Sequence, residues 1–250
     1  MLEKMLQRNS LPKKTSFTKE KAETERPALG RKGREKLDSL LRKAARAGND
    51  SEITRLLKAG ARVEAKSKAN KQGTEGRRPL MYAARHGHLG ACRLLIENGA
   101  KIDAKDNELT TALMFAAEEG RTDACALLIE NGADMELHDI SGCTPLMRAA
   151  YAGNAGMCRF LIGKGANVNA RDGEWVTSLH HAAWNGHTEA CAVLVKNGAK
   201  IDARDSAAKT ALFYATEQKH NDTEALLRVV PLIGTDGIAF AKEFFGCIGG

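Results

Sequence analysis

No stretch of this chain stays apolar for the roughly 18 residues that a membrane-spanning helix needs, so no helical span is expected. Near the start, Glu3, Lys4 and Arg8 interrupt any apolar region, which argues against a secretory signal. The early Lys/Arg excess would suit a mitochondrial presequence, but Glu3, Glu20, Glu23 and Glu25 do not. Aromatic residues are scarce, at 5%. The basic front of the chain therefore lacks the interleaved rings on which single-stranded bases stack. Catalytic signatures are also missing. There is no Walker loop, G-x-S-x-G or H-E-x-x-H, and the spacing from Gly30 to Glu35 is not that of a phosphate loop. Glu118 and Glu119 are consecutive, so on a helix they point apart, and no nucleophile, base and orienter group together. No catalytic residue and no cofactor is expected.

What the chain does contain is a unit too small to fold alone. In residues 139–171, Thr144 stands where a helix N-cap belongs and Pro145 fills the first helical position, where its missing N–H costs nothing. Leu146, Ala149 and Ala150 form a narrow apolar stripe, and Gly153 is a left-handed stop. Met157, Phe160, Leu161 and Ile162 repeat the stripe, and Gly165 ends it. The stretch 165–176 is turn chemistry between such units.

The unit recurs with a period of 33 residues: Leu80, Leu113, Leu146, Leu179 and Leu212 share one position, and Gly99, Gly132, Gly165 and Gly198 another. With Thr144-Pro145-Leu146, Ala149-Ala150, Gly186-His187 and Gly198-Ala199, the pattern resembles the ankyrin repeat family. The resemblance covers about residues 37–231 and implies an all-α solenoid of about six helix-turn-helix units joined by hairpin loops. It also implies a protein-binding module that uses hairpin tips and first-helix ends as a concave surface.

Six units are expected at about 37–66, 74–105, 106–138, 139–171, 172–204 and 205–231. The first and last are degenerate and suit terminal caps that must face water. In the last, Lys219 replaces the helix-ending glycine, Thr216 replaces an alanine, and Pro231 is expected to cut the second helix short. The hairpin glycine present at Gly142 is replaced by Leu109, Trp175 and Ala208, so those turns are expected to be reshaped. Six inserted residues put a basic flap at about 67–78. Residues 1–36 read as a disordered basic arm, and 232–250 as a tail whose Ile238, Ala241, Phe244, Phe245 and Ile248 share one helical face. That helix would cap the array or dock a partner.

The formal net charge of +7 hides an asymmetry: residues 1–78 carry 22 Lys+Arg against 10 Asp+Glu, and residues 79–250 carry 16 against 21. Cys92, Cys125, Cys158 and Cys191 lie 33 apart, in one column of successive second helices. Neighbouring helices pack at about 8–10 Å, beyond the roughly 7 Å that a disulfide tolerates. These are therefore core thiols, suited to a reducing cytoplasm or nucleus. His180 and His181, near His138 and Cys143, raise the question of a metal. Because His180 occupies the family's histidine position, which bonds a neighbouring turn, no metal is expected.

The resemblance places the pairs just before each first-helix glycine in the groove: Arg85 with His86, Glu118 with Glu119, Tyr151 with Ala152, Trp184 with Asn185 and Glu217 with Gln218. Hairpin positions add Ile140, Cys143 and Val176. The expected site is an apolar cluster of Trp184, Tyr151, Ile140, Cys143 and Val176 rimmed by Glu118, Glu119, Glu174 and Glu217. It would suit a monomer holding a protein segment with basic residues around an apolar anchor. The alternative is a regulator whose basic arm and flap contact nucleic acid or an anionic membrane surface.

Overall fold

A computed structural model describes residues 30–68 and 76–233, with side chains through Pro231. Among these residues there are twelve helices and no strands. They form six antiparallel pairs: α1 (Arg31–Ala47) with α2 (Asp50–Lys58), α3 (Pro79–His86) with α4 (Leu89–Glu97), and α5 (Ala112–Glu118) with α6 (Thr122–Glu130). Then follow α7 (Pro145–Tyr151) with α8 (Ala155–Gly163), α9 (Ser178–Trp184) with α10 (Thr188–Lys196), and α11 (Ala211–Glu217) with α12 (Asn221–Ile233). First helices pack on first helices in one row (α1, α3, α5, α7, α9, α11), and the second helices stack behind them.

Each helix starts and stops for local reasons. Thr111, Thr144 and Thr210 accept the N–H groups of Met114, Met147 and Phe213 at 3.3–3.4 Å, which caps α5, α7 and α11. Buried alanine pairs such as Ala116-Ala117 and Ala149-Ala150 let neighbouring first helices approach closely. At Gly153, φ is +74° and an added Cβ would lie 2.6 Å from the His187 ring, so the position needs glycine twice over.

That ring belongs to a stitch that joins the units. The residue opening each second helix reaches back to the first-helix carbonyl of the unit before. His88 bonds Arg46 O at 3.1 Å, Arg121 bonds Arg85 O at 3.3 Å, and Asn154 bonds Glu118 O at 2.6 Å. His187 does the same to Tyr151 O and His220 to Trp184 O, both at 3.0 Å. A carbonyl left orphaned at a helix end is thereby satisfied.

Four expectations change. The first helix begins at Arg31 rather than at residue 37, and in its added turns Glu35 pairs with Arg31 one turn back and with Lys68 across the hairpin. The second helix of the last pair runs through Pro231 to Ile233, since a proline in the last turn forfeits only one backbone bond. The hairpin turns are not reshaped: Leu109, Trp175 and Ala208 keep the glycine geometry, with φ of +59°, +63° and +59°. Arg77 and Arg78 are not part of a solvated flap; they pair with Asp106 at 3.3 Å and Glu64 at 3.0 Å, with little exposure. The basic arm, most of the flap and the tail helix lie outside the described residues.

The cysteine column is buried as expected, with Cys92, Cys125, Cys158 and Cys191 free and fully enclosed. Burial pushes the thiols of Cys92, Cys125 and Cys158 up to about 12 and Cys191 higher still.

Candidate functional site

The strained turns are held by one carboxylate per hairpin. Asp106, Asp139, Asp172 and Asp205 each accept, through Oδ1, the N–H groups two and four residues on, at 2.8–3.0 Å. The aspartate carbonyl takes a third N–H, from Leu109, Gly142, Trp175 or Ala208. Three bonds over-determine the turn, so a bulky residue is carried into the left-handed region at a cost of about 1–2 kcal/mol.

The second oxygen, Oδ2, faces the residue nine positions on, in the first helix. Arg148 grips Asp139 at 2.5 and 2.8 Å, His181 stands 3.4 Å from Asp172, and the Tyr214 hydroxyl donates to Asp205. Phe115 cannot bond Asp106, so Arg77 does so from one hairpin back and lies 4.5 Å over the Phe115 ring. At Asp172 burial alone would raise the carboxyl, but His181 and the N–H groups of Val176 and Glu174 outweigh it and hold the group below its ordinary value.

Six large apolar side chains are exposed among the described residues: Leu109, Ile140, Tyr151, Trp175, Trp184 and Phe213. None is on a second helix. Leu109, Ile140 and Trp175 are on hairpins; Tyr151 and Trp184 close the ends of α7 and α9. Trp184 leans on Tyr214 with ring centroids 4.8 Å apart, and Tyr151 meets the His181 ring at 6.1 Å, yet about half of each remains in water. Phe213 has a different origin. Its counterparts Met81, Met114, Met147 and His180 are all buried, because each is followed by another unit, whereas among the described residues none follows the last unit beside Phe213.

His180 shows what the covering unit does. The Thr177 N–H donates to its Nδ1 at 3.2 Å, so that nitrogen carries a lone pair, and Nε2–H donates to Lys209 O of the next turn at 3.3 Å. Burial, above all, depresses its pKa.

The acidic rim is only partly available. Glu118 pairs with Arg148 at 3.0 Å and Glu119 with Arg85 at 2.9 Å, whereas the Glu174 carboxylate bonds only the Ser206 hydroxyl among the described residues and Glu217 lies 3.9 Å from Lys209. Free negative charge thus sits beside the two tryptophans rather than at the α5 end. There, Arg46, Arg77, Arg85, His86, Phe115 and Glu119 line a cleft of about 430 Å³. Burial and the charge of Arg46 lower the His86 pKa in it. Val176 is half-buried and belongs to the hairpin wall.

Cys143 also meets His181, with Sγ 3.7 Å from Nε2. The trio with Asp172 resembles a nucleophile, base and orienter, but thiol and carboxylate approach the same nitrogen, so no proton relay runs through the ring. Burial, then Asp139 and Asp172, push this thiol up to about 12, the opposite of an activated nucleophile. The sequence signal for these contacts is the nine-residue step from each hairpin aspartate, which carries meaning only once the hairpin is known to fold back onto its helix.

Family models for ankyrin repeats match residues 30–106, 105–172 and 153–195. The chain belongs to the ankyrin repeat family. Members are generally protein–protein interaction modules and typically non-catalytic. No curated protein matches the chain. No helix among the described residues is long and apolar enough to cross a membrane.

Proposed function

We propose that this chain is a non-catalytic adaptor that holds a protein segment against the hairpins and first helices of its fourth to sixth units. One observation carries the reading. Trp175 is 57% exposed at a φ of +63°, so the backbone bears strain to hold a large apolar ring in water. Trp184, Tyr151 and Ile140, on neighbouring helix ends and a hairpin, are likewise large exposed apolar side chains. Tryptophan and tyrosine are the residues that dominate interface energetics.

The occupant is an extended or helical peptide with an aromatic or aliphatic anchor. Lys or Arg beside the anchor would meet Glu174 and Glu217, the two rim carboxylates that no arginine holds among the described residues. Glu118 and Glu119 contribute less, because Arg148 and Arg85 already hold them. The buried free thiols support a reducing compartment, cytoplasm or nucleus.

A peptide-display library selected on the chain tests this. Enriched peptides are expected to share an apolar anchor flanked by basic residues and to lose roughly thirtyfold in affinity, about 2 kcal/mol, for Trp184→Ala. Selected peptides that bind Trp184→Ala and Trp175→Gly as well as the parent would place the binding surface elsewhere.

A further inference from the structure

The trio Cys143, Asp172 and His181 has all its ligand atoms within 4.8 Å of one another. Each residue is half-buried and comes from a different element: the end of one hairpin, the start of the next, and α9. We propose that these three side chains form a zinc-type metal site, with water or a group from a bound partner as fourth ligand.

The distances carry the argument. Around a tetrahedral Zn²⁺ with bonds of about 2.3 Å to sulfur and 2.0–2.1 Å to nitrogen and oxygen, sulfur and nitrogen lie about 3.6 Å apart and nitrogen and oxygen about 3.4 Å. Cys143 Sγ and His181 Nε2 are 3.7 Å apart, and His181 Nε2 and Asp172 Oδ2 are 3.4 Å apart. The nitrogen–oxygen separation is beyond the 2.7–3.2 Å of a good hydrogen bond, near ~3 Å in most proteins. It matches the edge of a coordination tetrahedron instead. The sulfur–oxygen edge lies within 4.8 Å, against about 3.6 Å in such a tetrahedron.

Both neighbours converge on the same nitrogen, which makes poor sense as a relay and good sense as three donors facing one point. Asp172 is prepared for monodentate ligation, since its Oδ1 is held by the N–H groups of Glu174 and Val176 and only Oδ2 faces the trio. The repeat supplies an internal comparison. The equivalent positions hold Arg77, Asp106 and Phe115; Thr110, Asp139 and Arg148; and Val176, Asp205 and Tyr214. In each of those sets an arginine or tyrosine satisfies the carboxylate directly. Only the Asp172 set replaces that partner with a thiol and an imidazole, donors that select zinc-like ions over calcium or magnesium. Binding M²⁺ forms the sulfur–metal bond and releases the Cys143 proton to water.

Cobalt titration of the reduced, chelator-stripped full chain tests the site without relying on the protein-binding reading. One equivalent of Co²⁺ is expected to give a thiolate-to-cobalt charge-transfer band and the intense visible absorption of a tetrahedral ion, both reversed by Zn²⁺. Cys143→Ser, nearly isosteric, is expected to abolish the band while circular dichroism is retained. Asp172→Asn, which keeps the turn-forming oxygen, and His181→Ala are each expected to weaken Co²⁺ at least tenfold. Absence of the band in the folded parent chain would overturn the proposal. So would a band of unchanged intensity in Cys143→Ser, since the metal would then sit on another thiol.

Discussion

Trp175→Gly separates the two things that a tryptophan on a hairpin can do. At φ +63° the side chain occupies a backbone region that costs an L-residue roughly 1–2 kcal/mol. Glycine removes that strain but adds chain entropy to the unfolded state, about 0.5–1 kcal/mol. The Arg171 guanidinium 5.6 Å over the ring is also lost, at about 0.5–1 kcal/mol for an exposed cation–π contact. These effects oppose one another, so the net change is expected to stay within about 1 kcal/mol, whereas removing a packed tryptophan costs about 3–5 kcal/mol. For a chain of this size the melting temperature should move by no more than about 4 °C, against roughly 6 °C or more for a core residue. Thermal unfolding by circular dichroism reads the first quantity, and titration with a library-selected peptide reads the second. The expected result is near-unchanged stability with a large loss of peptide affinity. A drop of 3 kcal/mol or more with affinity intact would show that the ring is packing, and the strain argument would fail.

Cys158→Val is expected to change stability by less than about 1.5 kcal/mol, and a thiol reagent should reach the four-cysteine column only on unfolding. Rapid labelling of Cys92, Cys125, Cys158 and Cys191 in the native chain would contradict their burial. Because the folded pKa of His180 is depressed, the unfolded chain takes up more protons near the ordinary histidine value of about 6.5. Stability is therefore fully present above that pH and should fall as pH drops below it. His180→Gln should flatten this slope in thermal melts from pH 7.5 to 5.5, and an undiminished slope would assign it to another group. Arg148→Ala leaves the Asp139 carboxylate, 1% exposed, with only its turn N–H donors and is expected to cost about 2–3 kcal/mol. Adding Asp139→Asn should recover part of that loss in urea unfolding, and strict additivity of the two changes would mean the pair is not coupled.

The 33-residue period alone determined the helix pairs, their stops and the buried cysteine column, because an element that cannot bury its own face must stack on copies of itself. That Tyr151 and Trp184 end adjacent first helices was legible for the same reason: residues one period apart stand side by side. The period could not say which unlike residues meet across it. Arg148 finding Glu118, Cys143 finding His181 and Arg77 finding Asp106 all depend on side-chain reach between neighbouring units. Nor could it tell that Leu109 and Trp175 would accept a glycine's backbone angle. Three hydrogen bonds to one hairpin aspartate outweigh the strain of a side chain there, and those bonds exist only once the hairpin is closed. Phe213 makes the same point at the array's end: its position is buried in the second to fifth units, and it lies in water because nothing among the described residues stacks against it.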